Sequence, residues 1–409
     1  MLNVVDKQQA MQQKIRVLVV GSKYLPEYAG SGLRIHNTYK RLHEKYGIEW
    51  GVLAGSTAHF GTHHYAHEGI NVTRISSKLK NKAFQLRTSG PKWQARIWNW
   101  LFAADEIWKS WRWLRSNGSQ FDLLHAYGHS WCVGTAVIWA KMSGKPIIRE
   151  LVTAQASPHH PERMKPLLDW ALKSQNARIV AISKQLEARC RQLGFTNVWH
   201  RPNPVDEQRF FVDRAKKNAY RTKHSRFSPS DILIVEVSNY RPGKNKAFLL
   251  DVMAQLPQEF KLLIAGPLLK GNEAIYNDIC KKIKSLGLED RVQVKTDFVN
   301  EVHEYMKMGD LFAFPSLHEG LGTPMLEAIA CGLPVVANKI EQVTDIWIVD
   351  GVNGFTSGLR PTEFGDKIQK AVEIDEQTLD EASKQILAQA SSEVIDQAYY
   401  DMITSLRSH

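Results

Sequence analysis

Short apolar runs that alternate with stretches of helical period constrain this chain more than any other feature of its sequence. A run at 15–21 (IRVLVVG) reads as a strand, and Gly30, Ser31 and Gly32 then lead into a helix to about Tyr46. Further strand-like runs fall at 49–53, 123–126, 146–151 and 177–182. Strands separated by helices need crossover connections, and crossovers lay the strands parallel in one sheet with helices over its faces. The rhythm breaks at 201–210 (RPNPVDEQRF), where two prolines and a polar cluster intervene, and 213–230 is charged without apolar periodicity. It restarts with runs at 232–237, 261–265, 292–294, 311–314 and 334–337. The fold class predicted is therefore α/β, with two Rossmann-like, doubly wound domains over 1–205 and 206–390. Ligands of such sheets sit beyond the carboxyl ends of the strands, so two facing domains would enclose a cleft.

Composition agrees with two cores. A chain of 409 residues with 43% hydrophobic and 23% charged residues can bury two interiors and is not a disordered polyampholyte. Cys132, Cys190, Cys280 and Cys331 are too scattered for a zinc site or a disulfide framework, and suit a reducing cytoplasm. The segment 1–14 is polar and Gln-rich, unlike an export signal, and no apolar stretch reaches the ~20 residues that span a bilayer. The formal charge of +11 favours a phosphorylated substrate, an anionic lipid surface or a nucleic acid without choosing among them.

Chemistry concentrates at 314–337 (FPSLHEGLGTPMLEAIACGLPVVA). A buried strand ends near Phe314, a polar, glycine-rich loop follows, and Thr323 as N-cap with Pro324 in the first turn starts a helix that Gly332 and Pro334 close. A helix N-terminus beside glycines offers free amides and a positive dipole end to a diphosphate. Glu319 and Glu327 flank the loop, and carboxylates are good acceptors for paired sugar hydroxyls. On spacing alone, a plain turn followed by a solvated glutamate explains the pattern equally well.

The same segment closely resembles the signature of retaining glycosyltransferase family 4, a large group of GT-B enzymes that carries a Glu, seven residues and a second Glu in a pattern close to EGFGLPPLEAMACGLPVVA. The resemblance implies that Glu319 meets the donor sugar, that Glu327 holds the ribose, and that Gly320, Leu321, Gly322 and Thr323 present backbone amides to the diphosphate. A second matching segment, 234–246 (IVEVSNYRPGKNK), carries three basic groups that could neutralise a departing diphosphate. Lys244 falls on the family's lysine, whereas Asn239 occupies its usual arginine position and Arg241 follows two residues later. In 24–32 (YLPEYAGSG) the family's adjacent glycines are reduced to Gly30, with Ala29 before it. His125 in FDLLHAYGH stands where the family often has a strand-end histidine, and 180–184 and 203–210 match its serine turn and hinge. The resemblance further implies retention of anomeric configuration, no metal or other cofactor besides the nucleotide-sugar donor, and a terminal helix over 391–409 that crosses back to the N-terminal domain.

Between Lys78 and Arg115 stand nine basic residues, Lys78, Lys80, Lys82, Arg87, Lys92, Arg96, Lys109, Arg112 and Arg115, against Asp105 and Glu106. Trp93, Trp98, Trp100, Trp108, Trp111 and Trp113 share the window. Such a stretch suits an interfacial helix on anionic lipid, and equally a helix that packs its tryptophans inward. It points to a glycan or lipid-linked acceptor and a cytoplasmic protein peripheral to the inner face of a membrane, with small-molecule glycosylation as an alternative. A nucleic-acid binder would also use basic and aromatic residues, yet it leaves Glu319, Glu327 and the glycine loop without a task. A catalytically silent sugar-binding subunit, an epimerase or a phosphorylase of the same fold are further alternatives.

Overall fold

The computed structural model describes residues 14–27, 29–153, 156–159 and 161–407. Most of the polar segment 1–14 lies outside them, as does Tyr28 of the loop after the first strand. The chain condenses into two compact units. The first takes residues up to Ile182, Leu186–His200 and everything from Asp396; the second takes Ser183–Gln185 and Arg201–Ile395.

The first unit holds an eight-stranded sheet in the order β3-β4-β2-β1-β5-β6-β7-β8. The strands are β1 Arg16–Gly21, β2 Glu49–Ala54, β3 Gly61–His67, β4 Ile70–Ser76, β5 Leu123–Tyr127, β6 Ile147–Leu151, β7 Ala177–Ala181 and β8 Val198–His200. All neighbours are parallel except β3 and β4. Their hairpin, and β8, lack the apolar run that marks the other strands: β3 reads GTHHYAH and stands at the sheet edge, where one side is solvated. Central strands β1, β5 and β6 are buried on both faces, as continuous apolar runs require. Residues of the terminal helix Ser392–Arg407 complete this unit. Arg41 donates to Asp396 at 2.5 and 3.0 Å, Tyr46 donates to Gln397 at 2.8 Å, and Tyr46 stacks on Tyr400 with centroids 4.2 Å apart.

The second unit holds six parallel strands in the order β11-β10-β9-β12-β13-β14. They are β9 Ile232–Val237, β10 Phe260–Ala265, β11 Val292–Lys295, β12 Leu311–Phe314, β13 Val335–Asn338 and β14 Gly354–Ser357. Ile234, Leu262, Ile264, Leu311 and Val336 of these strands pack with Leu249, Ile279, Phe364 and Ile368 into one core. The charged stretch 213–230 is not structureless: it contains the helix Lys217–His224, anchored by Arg221 rather than by an apolar stripe. Arg221 is 1% exposed and donates to the carbonyls of Met308 and Asp231 and to the Asp310 carboxylate, at 2.9, 2.9 and 2.7 Å.

The four cysteines are free thiols, with Cys132, Cys190 and Cys331 buried. Among the described residues no helix is long and apolar enough to cross a membrane.

Candidate functional site

The order of the second sheet fixes where a ligand can enter. The chain leaves β9 to form β10 and β11 on one side and β12 to β14 on the other, so the sheet has its switch point between β9 and β12. These two strands pair directly, Leu311 beside Ile234 and Phe312 beside Val235, and the loops that leave their carboxyl ends become neighbours. The two segments singled out in the sequence are those two loops.

They are joined by specific contacts. Leu317 donates its amide to the Gly243 carbonyl at 2.8 Å, and Lys244 Nζ donates to Glu319 Oε1 at 2.5 Å. Both side chains of this ion pair keep some solvent access, 20% for Lys244 and 14% for Glu319. The Lys244 ammonium also lies 5.4 Å from the centre of the Phe314 ring. Arg241, by contrast, is exposed, and Lys246 does not face outward at all. It is buried against Glu236, whose other carboxylate oxygen accepts from Ser238 Oγ at 2.5 Å. The expected triple basic cluster is therefore divided: one cation on the glutamate, one in solvent, and one that braces the loop from beneath.

The helix after the loop runs Thr323–Ala330, but its cap is Gly322 and not Thr323. Gly322 has φ +81°, and a Cβ there would stand 3.0 Å from the Phe314 ring, so the left-handed turn and the packed ring both call for glycine. The Thr323 hydroxyl instead accepts from Asn203 Nδ2 at 2.8 Å. Leu321 is 2% exposed and serves the core with its side chain, while Gly320 is half-buried in the loop. Asn239, at the start of the loop that leaves β9, has a buried Oδ1 with no hydrogen-bond partner among the described residues. An unfilled acceptor at a switch point is a place for a ligand donor.

Glu327 lies in the second turn of the helix, half-buried. Withdrawal from water raises its carboxyl to about 7, against the opposing pull of Arg209, with Asp206 adding a like charge. Arg209 is held by the Asn300 carbonyl at 2.7 Å. Asn203, Asp206 and Arg209 thus shape this site from the polar segment 201–210, a role that spacing alone did not reveal; its two prolines mark a break, not a wall of a pocket.

Gly30 and His125 belong to the first unit. Gly30 opens the helix Gly30–Tyr46, exposed, with nothing within 4 Å of where a Cβ would stand. The crowded glycines are its neighbours: a Cβ on Gly21 would strike the Tyr127 ring at 2.3 Å, and one on Gly32 would stand 3.3 Å from the Lys23 carbonyl. His125 is the middle residue of β5, not its end, and is completely buried. Its Nδ1 lies 2.8 Å from the Tyr39 hydroxyl and its Nε2 3.0 Å from Glu150 Oε2, so both ring nitrogens are committed to interior partners. That is the geometry of a residue that positions others, and the end of the strand, where the sequence placed His125, lies two residues further on at Tyr127.

Groups that could hold a metal gather among the described residues at His36, His67 and Glu68 and at Glu301, His303 and Glu304, and neither set includes a residue of the β9 or β12 loop. A cavity of about 620 Å³ in the first unit touches Arg16 and Glu49 at the starts of β1 and β2, the opposite edge from the carboxyl ends.

With this geometry in view, residues 219–387 match the family described as glycosyl transferases group 1. The matched segment falls within the second unit. The chain is 30% identical over 151 residues, 34% of its length and 40% of the relative's, to the N-acetylgalactosamine-N,N'-diacetylbacillosaminyl-diphospho-undecaprenol 4-alpha-N-acetylgalactosaminyltransferase of Campylobacter jejuni. It is 33% identical over 153 residues, 35% of its length and 37% of the relative's, to the putative glycosyltransferase EpsF of Bacillus subtilis. It therefore spans about two fifths of the length of these curated relatives. Across 96% of this chain and 100% of the other, the fold is similar to that of Anabaena HepE solved with UDP and glucose, at a TM-score of 0.70 and 17% identity. Two Rossmann-like units of the GT-B fold are thus shown, and the matched segment contains the Lys244–Glu319 pair, the Gly322 cap and Glu327.

Proposed function

We propose that the chain is a retaining glycosyltransferase that moves a sugar from a nucleotide-sugar donor to a glycan or lipid-linked acceptor in polysaccharide or glycolipid assembly. The observation that carries this reading is the Lys244–Glu319 pair at the β9–β12 switch point of a group 1 domain, with Glu327 one helical turn beyond the Gly322 cap. In the reaction the bond from the anomeric carbon to the donor phosphate breaks, and the acceptor oxygen bonds to that carbon on the same face. The acceptor's proton passes to the departing phosphate, and the nucleoside diphosphate leaves. Lys244 and Arg241 neutralise the charge that develops on the phosphates, the task a metal performs elsewhere, so no metal is required. The amides of Gly320 to Thr323 meet the diphosphate, Glu319 turns from Lys244 toward the sugar hydroxyls, and Glu327 accepts from the ribose.

The acceptor class follows the Campylobacter relative, whose name specifies a diphospho-undecaprenol-linked substrate. A second observation favours a membrane-proximal acceptor. The helices Lys80–Ser89 and Lys92–Asn117 turn Phe84, Trp93, Ile97, Trp100 and Trp108 outward, between 49% and 66% exposed. At 100° per residue, Trp93, Ile97, Trp100 and Trp108 form one stripe, with exposed Arg96 and Arg112 to either side. An apolar stripe between cations fits an anionic lipid surface. The other tryptophans of the window are half-buried, and Lys80 and Lys109 are spent on the Ser56 carbonyl and on Asp105.

A thermal-shift screen against UDP, GDP, ADP and their sugar conjugates tests the donor site, because a ligand of the native state raises the melting temperature. One nucleotide is expected to give a selective shift that Glu327→Ala weakens; absence of any nucleotide shift sinks the reading. Co-sedimentation with phosphatidylglycerol vesicles, against neutral ones, tests the stripe. Trp100→Ser with Trp93→Ser is expected to release the protein, and unchanged binding would remove the stripe from the account.

A further inference from the structure

A second cavity, about 320 Å³, opens in the first unit beyond the carboxyl ends of β5 and β6, lined by Gly128, His129, Arg149, Glu150, Thr153 and Ser157 among others. Arg149 lies within β6, paired between Ala126 and Ile179, and is 2% exposed. Its Nη1 is buried with no hydrogen-bond partner among the described residues. A guanidinium stays protonated even where burial lowers it, as here to about 10, so a full positive charge sits at this wall.

The neighbouring Glu150 carboxylate attracts this charge but leaves Nη1 without a hydrogen bond. Successive residues of a strand face opposite ways, and Glu150 is already claimed: Oε2 by the His125 ring at 3.0 Å and the Tyr399 hydroxyl at 2.9 Å, Oε1 by Arg34. At the rim His129 is exposed and held below its ordinary value, first by desolvation and then by the Arg149 charge, so it adds no compensating negative group. A buried guanidinium nitrogen left without a hydrogen-bond partner is unfavourable and persists where function uses it. The cavity also lies where a parallel sheet binds its ligands.

We infer that this cavity is an anion subsite in which Arg149 takes the phosphate or carboxylate group of the acceptor substrate. Assigning the anion to the acceptor rests on the transfer reading above, whose donor phosphates meet Lys244 in the other unit. The acceptor is therefore charged, which fits a sugar diphospho-lipid or an acidic sugar and does not fit a neutral glycan.

The test is a titration of the full-length protein with inorganic phosphate, and separately with acetate, at constant ionic strength and with saturating UDP to fill the donor site. Phosphate, acetate or both are expected to raise the melting temperature by a few degrees, and the effective anion identifies the acceptor group. Arg149→Met is expected to abolish the shift while its unliganded melting temperature equals or exceeds that of the wild type. A structural arginine would lose stability instead. Thr153→Glu, an exposed position, places a tethered carboxylate at the rim and is expected to remove the shift without loss of fold, so the inference stays testable if Arg149→Met does not fold. No shift with either anion, a shift that survives in both variants, or a shift seen only when UDP is absent would each overturn the inference. Anion binding without any nucleotide shift would leave the subsite standing and sink the donor reading alone.

Discussion

Arg221 in the second unit and Arg149 in the first are both withdrawn from solvent, at 1% and 2% exposure, yet their surroundings are opposite. Arg221 spreads its donors over Met308, Ser228, Pro229 and Asp231 carbonyls and the Asp310 carboxylate, tying a helix to the start of β12 and to the loop before β9. Arg149 has an unpartnered Nη1 and a cavity in front of it. Burial alone therefore does not tell what a charged residue is for. A satisfied buried charge holds chain segments in register, whereas an unsatisfied one marks a place that another molecule completes. The Lys244–Glu319 pair stands between these cases. Each ion is satisfied by the other, and both keep solvent access, so a ligand can exchange the pairing at little cost.

The largest effect sought is on stability. Arg221→Met is expected to destabilise the protein by about 3–5 kcal/mol, since it leaves Asp310 and several carbonyls without their donor, whereas Arg149→Met costs nothing or stabilises. Urea unfolding of both variants measures this, and equal losses would erase the contrast. Next comes Lys244→Met, expected to lower turnover about 10²–10³-fold, as for loss of a group that stabilises developing charge, while stability changes by less than about 1 kcal/mol. A stability loss as large as that of Arg221→Met would show the pair to be structural.

A smaller effect concerns Glu327. Its folded value of about 7 exceeds the ordinary 4.5, so its contribution to stability is complete below about pH 4.5 and is lost as pH rises through 7. The ionised form is the better acceptor for ribose hydroxyls, so nucleotide affinity is expected to rise several-fold between about pH 6 and pH 8. Calorimetric titrations across that range should give a flat profile for Glu327→Gln; a sloping one would assign the ionisation elsewhere. Least affected is Asn203→Ala, which removes the 2.8 Å bond to Thr323 and is expected to cost about 1 kcal/mol of stability with turnover nearly unchanged.

Much of the second unit was legible because its signals are local. The run 232–237 becomes β9 and 311–314 becomes β12 without adjustment, since apolar runs buried on both sheet faces leave no alternative period. The same holds for the glycine-rich loop, where a strand end and a helix start lie within ten residues. Polar elements were not legible. The hairpin β3–β4 reads as histidine-rich loop until its edge position is known, and the helix Lys217–His224 depends on one arginine whose partners lie up to 89 residues away.

The sequence by itself determined the alternating architecture, the residues of the two loops and their chemical kind, because strand period, glycine conformations and carboxylate identity are properties of short segments. Only the tertiary structure decided which of the basic residues after β9 meets Glu319 and which is buried beneath it. It also took His125 from a strand end into an interior network, and it left Arg149 facing a cavity. Those outcomes depend on which strands become neighbours and on how many partners each polar atom then finds, and neither quantity is carried by spacing along the chain.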